Sequence, residues 1–79
     1  MFYTTNEYMS QEILEKFANR LKYLRSQNGL TQEDLAFESK ISRSTIGMIE
    51  SKKRDLTLDK IEKISKALGI EPKELFDFD

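Results

Sequence analysis

Apolar positions recur at helical spacing along nearly the whole chain. Leu14, Phe17, Leu21 and Leu24 lie three and four residues apart, which places them on one face of an amphipathic helix. The opposite face is charged, with Glu15, Lys16, Arg20, Lys22 and Arg25. Ser10 can cap orphan backbone donors and sets the expected start; Gly29 permits the left-handed turn that ends the helix after about Gln27. A second helix is expected to open at Thr31, whose hydroxyl accepts from first-turn amides while Asp34 completes a short capping box. Leu35 and Ala36 give it a narrow apolar face.

A corner at Ser39, Lys40 and Ile41 then leads to Ser42, placed to cap a third helix from Arg43 to about Ser51. Ile46 and Ile49 turn inward, which leaves Arg43, Ser44, Gly47 and Met48 on the outer side. The loop from Lys52 to Leu56 precedes a fourth helix capped by Thr57, with Asp59 suited to its N-terminal dipole. Its expected buried row is Leu58, Ile61, Ile64 and Leu68, and Gly69 closes it. Pro72 suits the first turn of a short fifth helix displaying Leu75 and Phe76. No period-two alternation, repeat or low-complexity stretch interrupts the pattern, so the expectation is an all-α fold of five helices.

Composition narrows the chemistry. A chain of 79 residues with 38% hydrophobic content supports one modest core. There are no cysteines and no histidines, which removes disulfides, thiolate nucleophiles, imidazole bases and the usual zinc ligand sets. The acidic groups Glu33 and Asp34, and those from Glu71 to Asp79, read as capping and solvating groups rather than paired catalytic carboxylates. No enzyme activity, cofactor, metal or small-molecule ligand is expected. The segment MFYTTNEYMSQE has no charged stretch followed by an apolar run, and nothing approaches the roughly 20 apolar residues of a membrane span. The expectation is a cytoplasmic, nucleoid-associated protein.

Charge is informative through its distribution. Thirteen Lys and Arg against fourteen Asp and Glu give a net charge of −1. From Ser39 to Arg54, however, Lys40, Arg43, Lys52, Lys53 and Arg54 stand against Glu50 alone, a net +4. Residues 1–15 carry only Glu7, Glu12 and Glu15, and residues 70–79 carry four acids against Lys73. The excess of positive charge therefore sits on the third helix and the segments flanking it, where a nucleic acid's phosphates would be met.

These residues carry a family resemblance. From Leu21 to about Phe76, the blocks LKYLRSQNGLTQEDLA, ISRSTIGMIE and LTLDKIEKISKALGI with ELF resemble the phage-repressor (Cro and XRE type) helix-turn-helix domain. Residues 32–51 are its motif, residues 21–76 its domain, and residues 1–12 an N-terminal extension. The resemblance implies a compact, five-helix, lambda-repressor-like fold that binds a palindromic double-stranded DNA operator as a homodimer, with helix three in the major groove. It implies that Gln32 grips a phosphate and braces the reading helix. It also implies base contacts from Ser42, Arg43, Ser44, Thr45 and Met48, and phosphate contacts from Ser51, Lys52, Lys53 and Arg54. Arg25 and Glu50 match a pair that joins helix one to the end of helix three through a salt bridge. The sequence departs from the family at the corner, where Lys40 replaces the frequent Gly and Ser39 a small apolar residue, and in the loop, where Asp55 stands in place of Asn.

The apolar residues Phe2, Tyr3, Tyr8 and Met9 before helix one, and Leu75, Phe76 and Phe78 after helix four, exceed what a domain this small readily covers. Such a surface implies an interface: a homodimer formed mainly by helix five through Leu75, Phe76 and Phe78, with the N-terminal segment packing across it. The leading function is a transcriptional regulator, similar to restriction-modification controller proteins or small phage and plasmid repressors. The alternative is an antitoxin or adaptor that binds DNA mainly in complex with a protein partner.

Overall fold

The computed structural model describes the backbone of residues 2–53 and 56–78, with side chains from residue 12 onward. It contains four α-helices, α1 (Phe2–Gln27), α2 (Gln32–Ser39), α3 (Arg43–Glu50) and α4 (Leu58–Leu68), followed by a 3₁₀ helix, Pro72–Phe76. The fifth expected helix is thus a 3₁₀ helix. Five residues entered through Pro72 and ended at Asp77 leave room for the tighter i→i+3 pattern, which is favoured in short pieces.

Helix α1 begins at Phe2, so Ser10 lies inside it and not at its cap. Residues 2–9 contain neither Gly nor Pro, and extending an existing helix is far cheaper than nucleating one. At 1.5 Å per residue α1 is about 39 Å long, which accounts for the longest dimension of the molecule, 42 Å. Among the described side chains of α1, Phe17, Ala18 and Leu21 are buried. The packing of Phe2, Tyr3, Tyr8 and Met9 across an interface lies outside the described side chains.

The core joins Phe17 and Leu21 of α1 to Leu35 and Ala36 of α2, Ile46 and Ile49 of α3, Ile64 and Leu68 of α4, Ile41 of the corner and Leu75 of the 3₁₀ helix. Full burial of each large side chain contributes about 1.5–3 kcal/mol. Leu58, expected in the buried row of α4, is instead 84% exposed. Cα–Cβ bonds tilt toward a helix N-terminus, so a side chain at the first helical position projects past the helix end and away from the core. Ser65 takes the extra buried place on α4, its hydroxyl donating to the Glu62 carbonyl at 2.9 Å.

Local chemistry fixes the helix starts. Thr31 accepts from the Asp34 amide at 3.0 Å while the Asp34 carboxylate accepts from the Thr31 amide at 2.9 Å. These contacts, the backbone one foremost, hold the Asp34 pKa below its ordinary value. Ser42 and Thr57 cap α3 and α4 through the amides of Thr45 and Lys60.

All four helices end in the same way. A left-handed residue donates its amide to a carbonyl three residues back, and the next residue donates to one five back, the pairing of a Schellman motif. Gly29 and Gly69 serve for α1 and α4, but Lys40 (φ 60) and Lys52 (φ 67) serve for α2 and α3. An L side chain in that region costs roughly 1–2 kcal/mol. The motif's final residue is apolar after three helices, Leu30, Ile41 and Ile70, each at least half-buried. After α3 it is the exposed Lys53.

One carboxylate ties three helices together. Glu50, at the end of α3, is 3% exposed. Its Oε2 accepts from Arg25 Nε at 2.7 Å and its Oε1 from Arg25 Nη2 at 3.0 Å, while Oε1 also accepts from Gln32 Nε2 at 2.9 Å. Arg25 Nη1 donates in turn to the Leu30 carbonyl at 2.8 Å. The hydrogen bonds to Glu50 raise the Arg25 pKa further, against the opposing effect of burial. No buried side-chain nitrogen or oxygen among the described residues lacks a partner.

The left-handed corner yields a stability prediction. Lys40→Gly removes the strain but adds the greater backbone entropy of unfolded glycine, about 0.5–1 kcal/mol. The net gain is about 0.5–1 kcal/mol, seen in a thermal melt as a midpoint rise of about 2–8 °C. A lower midpoint would show that Lys40 makes a compensating contact.

Candidate nucleic-acid interface

Helix α3 has only eight residues, too few to hold its own shape in water. Its inner side, Ile46 and Ile49, is buried against the core, and its last residue is clamped through Glu50. The outer side is consequently presented as a rigid edge. Arg43 and Ser44 are exposed on its first turn, and Met48 is half-buried one turn on. A Cβ built on Gly47 would lie 3.8 Å from both Arg43 Nη1 and Gln32 Oε1. The Arg43 guanidinium and the Gln32 amide therefore flank the same bare stretch of α3.

Ser42 and Thr45 are occupied with each other. The Ser42 hydroxyl donates to Thr45 Oγ1 at 2.7 Å and accepts from the Thr45 amide at 3.1 Å. Its oxygen is also 3.5 Å from that of Ser44. The arrangement shapes the N-terminus of α3 and leaves Arg43 and Ser44 as the groups most open to a ligand. A guanidinium in this place can offer two parallel donors to the O6 and N7 of guanine.

The residues expected to grip phosphate differ in how far they are already engaged. Gln32 directs its amide nitrogen at Glu50, a bracing contact. Ser51 donates to the Met48 carbonyl at 3.2 Å, Lys53 is exposed, and Lys52 Nζ lies 3.6 Å from Glu15 Oε2 on α1. Arg54 and the neighbouring Asp55 lie outside the described residues.

The expected interface at the C-terminus divides. Leu75 is 0% exposed, so it completes the core and is unavailable to a partner; a five-residue 3₁₀ helix has to turn one side chain inward to stay attached. Phe76 remains 40% exposed, its ring centroid 5.3 Å from that of Phe17 and 6.1 Å from that of Phe78. Arg20, which no sequence signal singled out, fastens this segment by donating from Nε to the Glu74 carbonyl at 2.9 Å. Tyr23 of α1, 54% exposed, lines the same groove as Phe78. Glu15 was likewise missed, because its partner is far away along the chain and sits in a loop.

Comparison with known proteins converges on one family. The chain is 45% identical over 71 residues to control protein C.BamHI of Bacillus amyloliquefaciens, covering 89% of this chain and 88% of that one. It is 49% identical to the restriction-modification controller protein C.AhdI from Aeromonas hydrophila, whose crystal structure superposes with a TM-score of 0.78 over 80% of this chain and 96% of that chain. The controller protein C.Esp1396I bound to a 25 base pair operator site matches at 37% identity and a TM-score of 0.75, over 82% of this chain and 86% of that one. Residues 21–75 match the helix-turn-helix family HTH_3, and the chain belongs to that family.

Proposed function

We propose that this chain is a sequence-specific, double-stranded DNA-binding transcriptional regulator of the restriction-modification controller type. It acts as a homodimer on a palindromic operator, with α3 in the major groove. The observation that carries this reading is the rigid outer edge of α3, on which Arg43 and Ser44 stand exposed while the opposite side is locked into the core. The likeness to a controller protein solved on its operator supports it. Arg43 reads a base, Ser44 adds a weaker polar contact, and Met48 meets a thymine methyl. Gln32, Ser51 and Lys53 set the register on the phosphates.

Homodimer formation rests on the apolar surface of Phe76 and Phe78, with Tyr23 of α1 lining the same groove as Phe78. Two-fold pairing there places half-sites about 10–10.5 base pairs apart, or a multiple of that spacing. Sedimentation at tens of micromolar gives a dimer for the wild type and a monomer for Phe76→Glu; a wild-type monomer contradicts the assembly. Arg43→Ala lowers operator affinity by about 1–3 kcal/mol and random-duplex affinity little. Lys53→Ala weakens both and flattens the log K against log salt slope by about 0.9 per protomer. Equal loss on operator and random duplexes for Arg43→Ala would remove it as a base reader.

A further inference from the structure

Of the two lysines after α3, Lys52 meets a carboxylate and Lys53 is exposed. Lys52 is the left-handed residue of the helix end, its amide bonded to the Ile49 carbonyl at 3.1 Å, and the Lys53 amide is bonded to the Met48 carbonyl at 2.8 Å. These two bonds fix the backbone from which both side chains leave. Lys52 Nζ meets Glu15 Oε2 of α1 at 3.6 Å, with the two side chains 43% and 59% exposed. The nearby Glu12 is already matched within α1 by Lys16 at 3.4 Å. Glu15 is thus the carboxylate that α1 directs at the basic loop.

Resting on the DNA-binding role proposed above, we infer that Glu15 is a positioning residue that withholds Lys52 from the phosphates, so that the wild-type loop grips DNA through Lys53 and not through Lys52. An exposed ion pair is weak by itself, but DNA makes it harder to give up. Moving Lys52 to a phosphate would leave an unmatched carboxylate within about one Debye length, roughly 8 Å at physiological salt, of a polyanion. The repulsion offsets the attraction gained. The effect is to hold operator affinity below what the loop's charge alone would deliver, with the limit set by a residue far from the reading helix in sequence.

The test is a salt titration of the full-length protein on an operator duplex selected from random sequence. Glu15→Gln tightens binding several-fold at low salt and steepens the slope of log K against log salt by about 0.9 per protomer, because one more phosphate is neutralised. Glu15→Asp retains wild-type behaviour. Lys52→Ala leaves the wild-type slope unchanged but abolishes the gain when added to Glu15→Gln. Thermal midpoints stay within a degree or two of wild type, so a merely structural role predicts none of these slope changes. The inference is overturned if Lys52→Ala alone flattens the slope while Glu15→Gln leaves it unaltered, since Lys52 would then already reach a phosphate. It is equally overturned if the gain of Glu15→Gln survives Lys52→Ala, which would make the effect one of general charge. A wild-type chain whose affinity for every duplex is absent or insensitive to salt overturns the proposed function itself, and this inference with it.

Discussion

A buried carboxylate must be matched or it destabilises the fold, and in this protein that constraint organises the side of the molecule proposed to face DNA. Glu50 is matched by two donors from Arg25 of α1 and one from Gln32 of α2. It therefore fixes the end of α3 relative to two other helices at once. Removing one partner of such a group typically costs about 3–5 kcal/mol, a large share of the stability of a small domain. Apolar contact through Ile46 and Ile49 attaches α3 to the core but is non-directional. The bidentate guanidinium adds direction, because two parallel bonds specify an angle as well as a distance.

That division of labour explains how an eight-residue helix is held rigid enough for the reading role proposed for it. Its start is shaped by Ser42 and Thr45, its middle is anchored by two isoleucines, and its end is held by the carboxylate. What remains exposed is a short edge with Arg43 beside Gln32 over Gly47. The helix ends serve the same surface. Glycine closes α1 and α4, whereas strained lysines close α2 and α3, keeping positive charge at both borders of α3. Strain of this kind tends to persist where function uses it.

Features written into neighbouring residues were legible in the sequence. Thr31 with Asp34, Ser42, Thr57, Gly29 and Gly69 mark helix ends through contacts a few residues long, and the heptad-like rows identified most of the core. The Arg25 and Glu50 correspondence came from family resemblance, since nothing in spacing alone links residues on α1 and α3. Errors arose where the outcome depends on what surrounds a residue. Ser10 is a good cap only where a helix must begin, and the breaker-free residues before it let α1 continue. Leu58 has the right period but sits at a helix start, beyond the reach of the core. Leu75 fits an exposed apolar patch equally well until the short 3₁₀ helix is seen to need an anchor. The contact between Glu15 and Lys52 spans α1 and a loop, and depends on a left-handed backbone that a lysine seldom adopts.

The placement of α3 depends on Glu50 being a buried, directional tie and not a solvated surface charge. A double-mutant cycle with Arg25→Met and Glu50→Met, read by urea unfolding near neutral pH, tests this directly. Each single change should cost about 3–5 kcal/mol by stranding its charged partner, and the double variant should recover much of that loss because neither charge remains. Single changes costing less than about 1 kcal/mol and adding without coupling, as for an exposed pair, would contradict it.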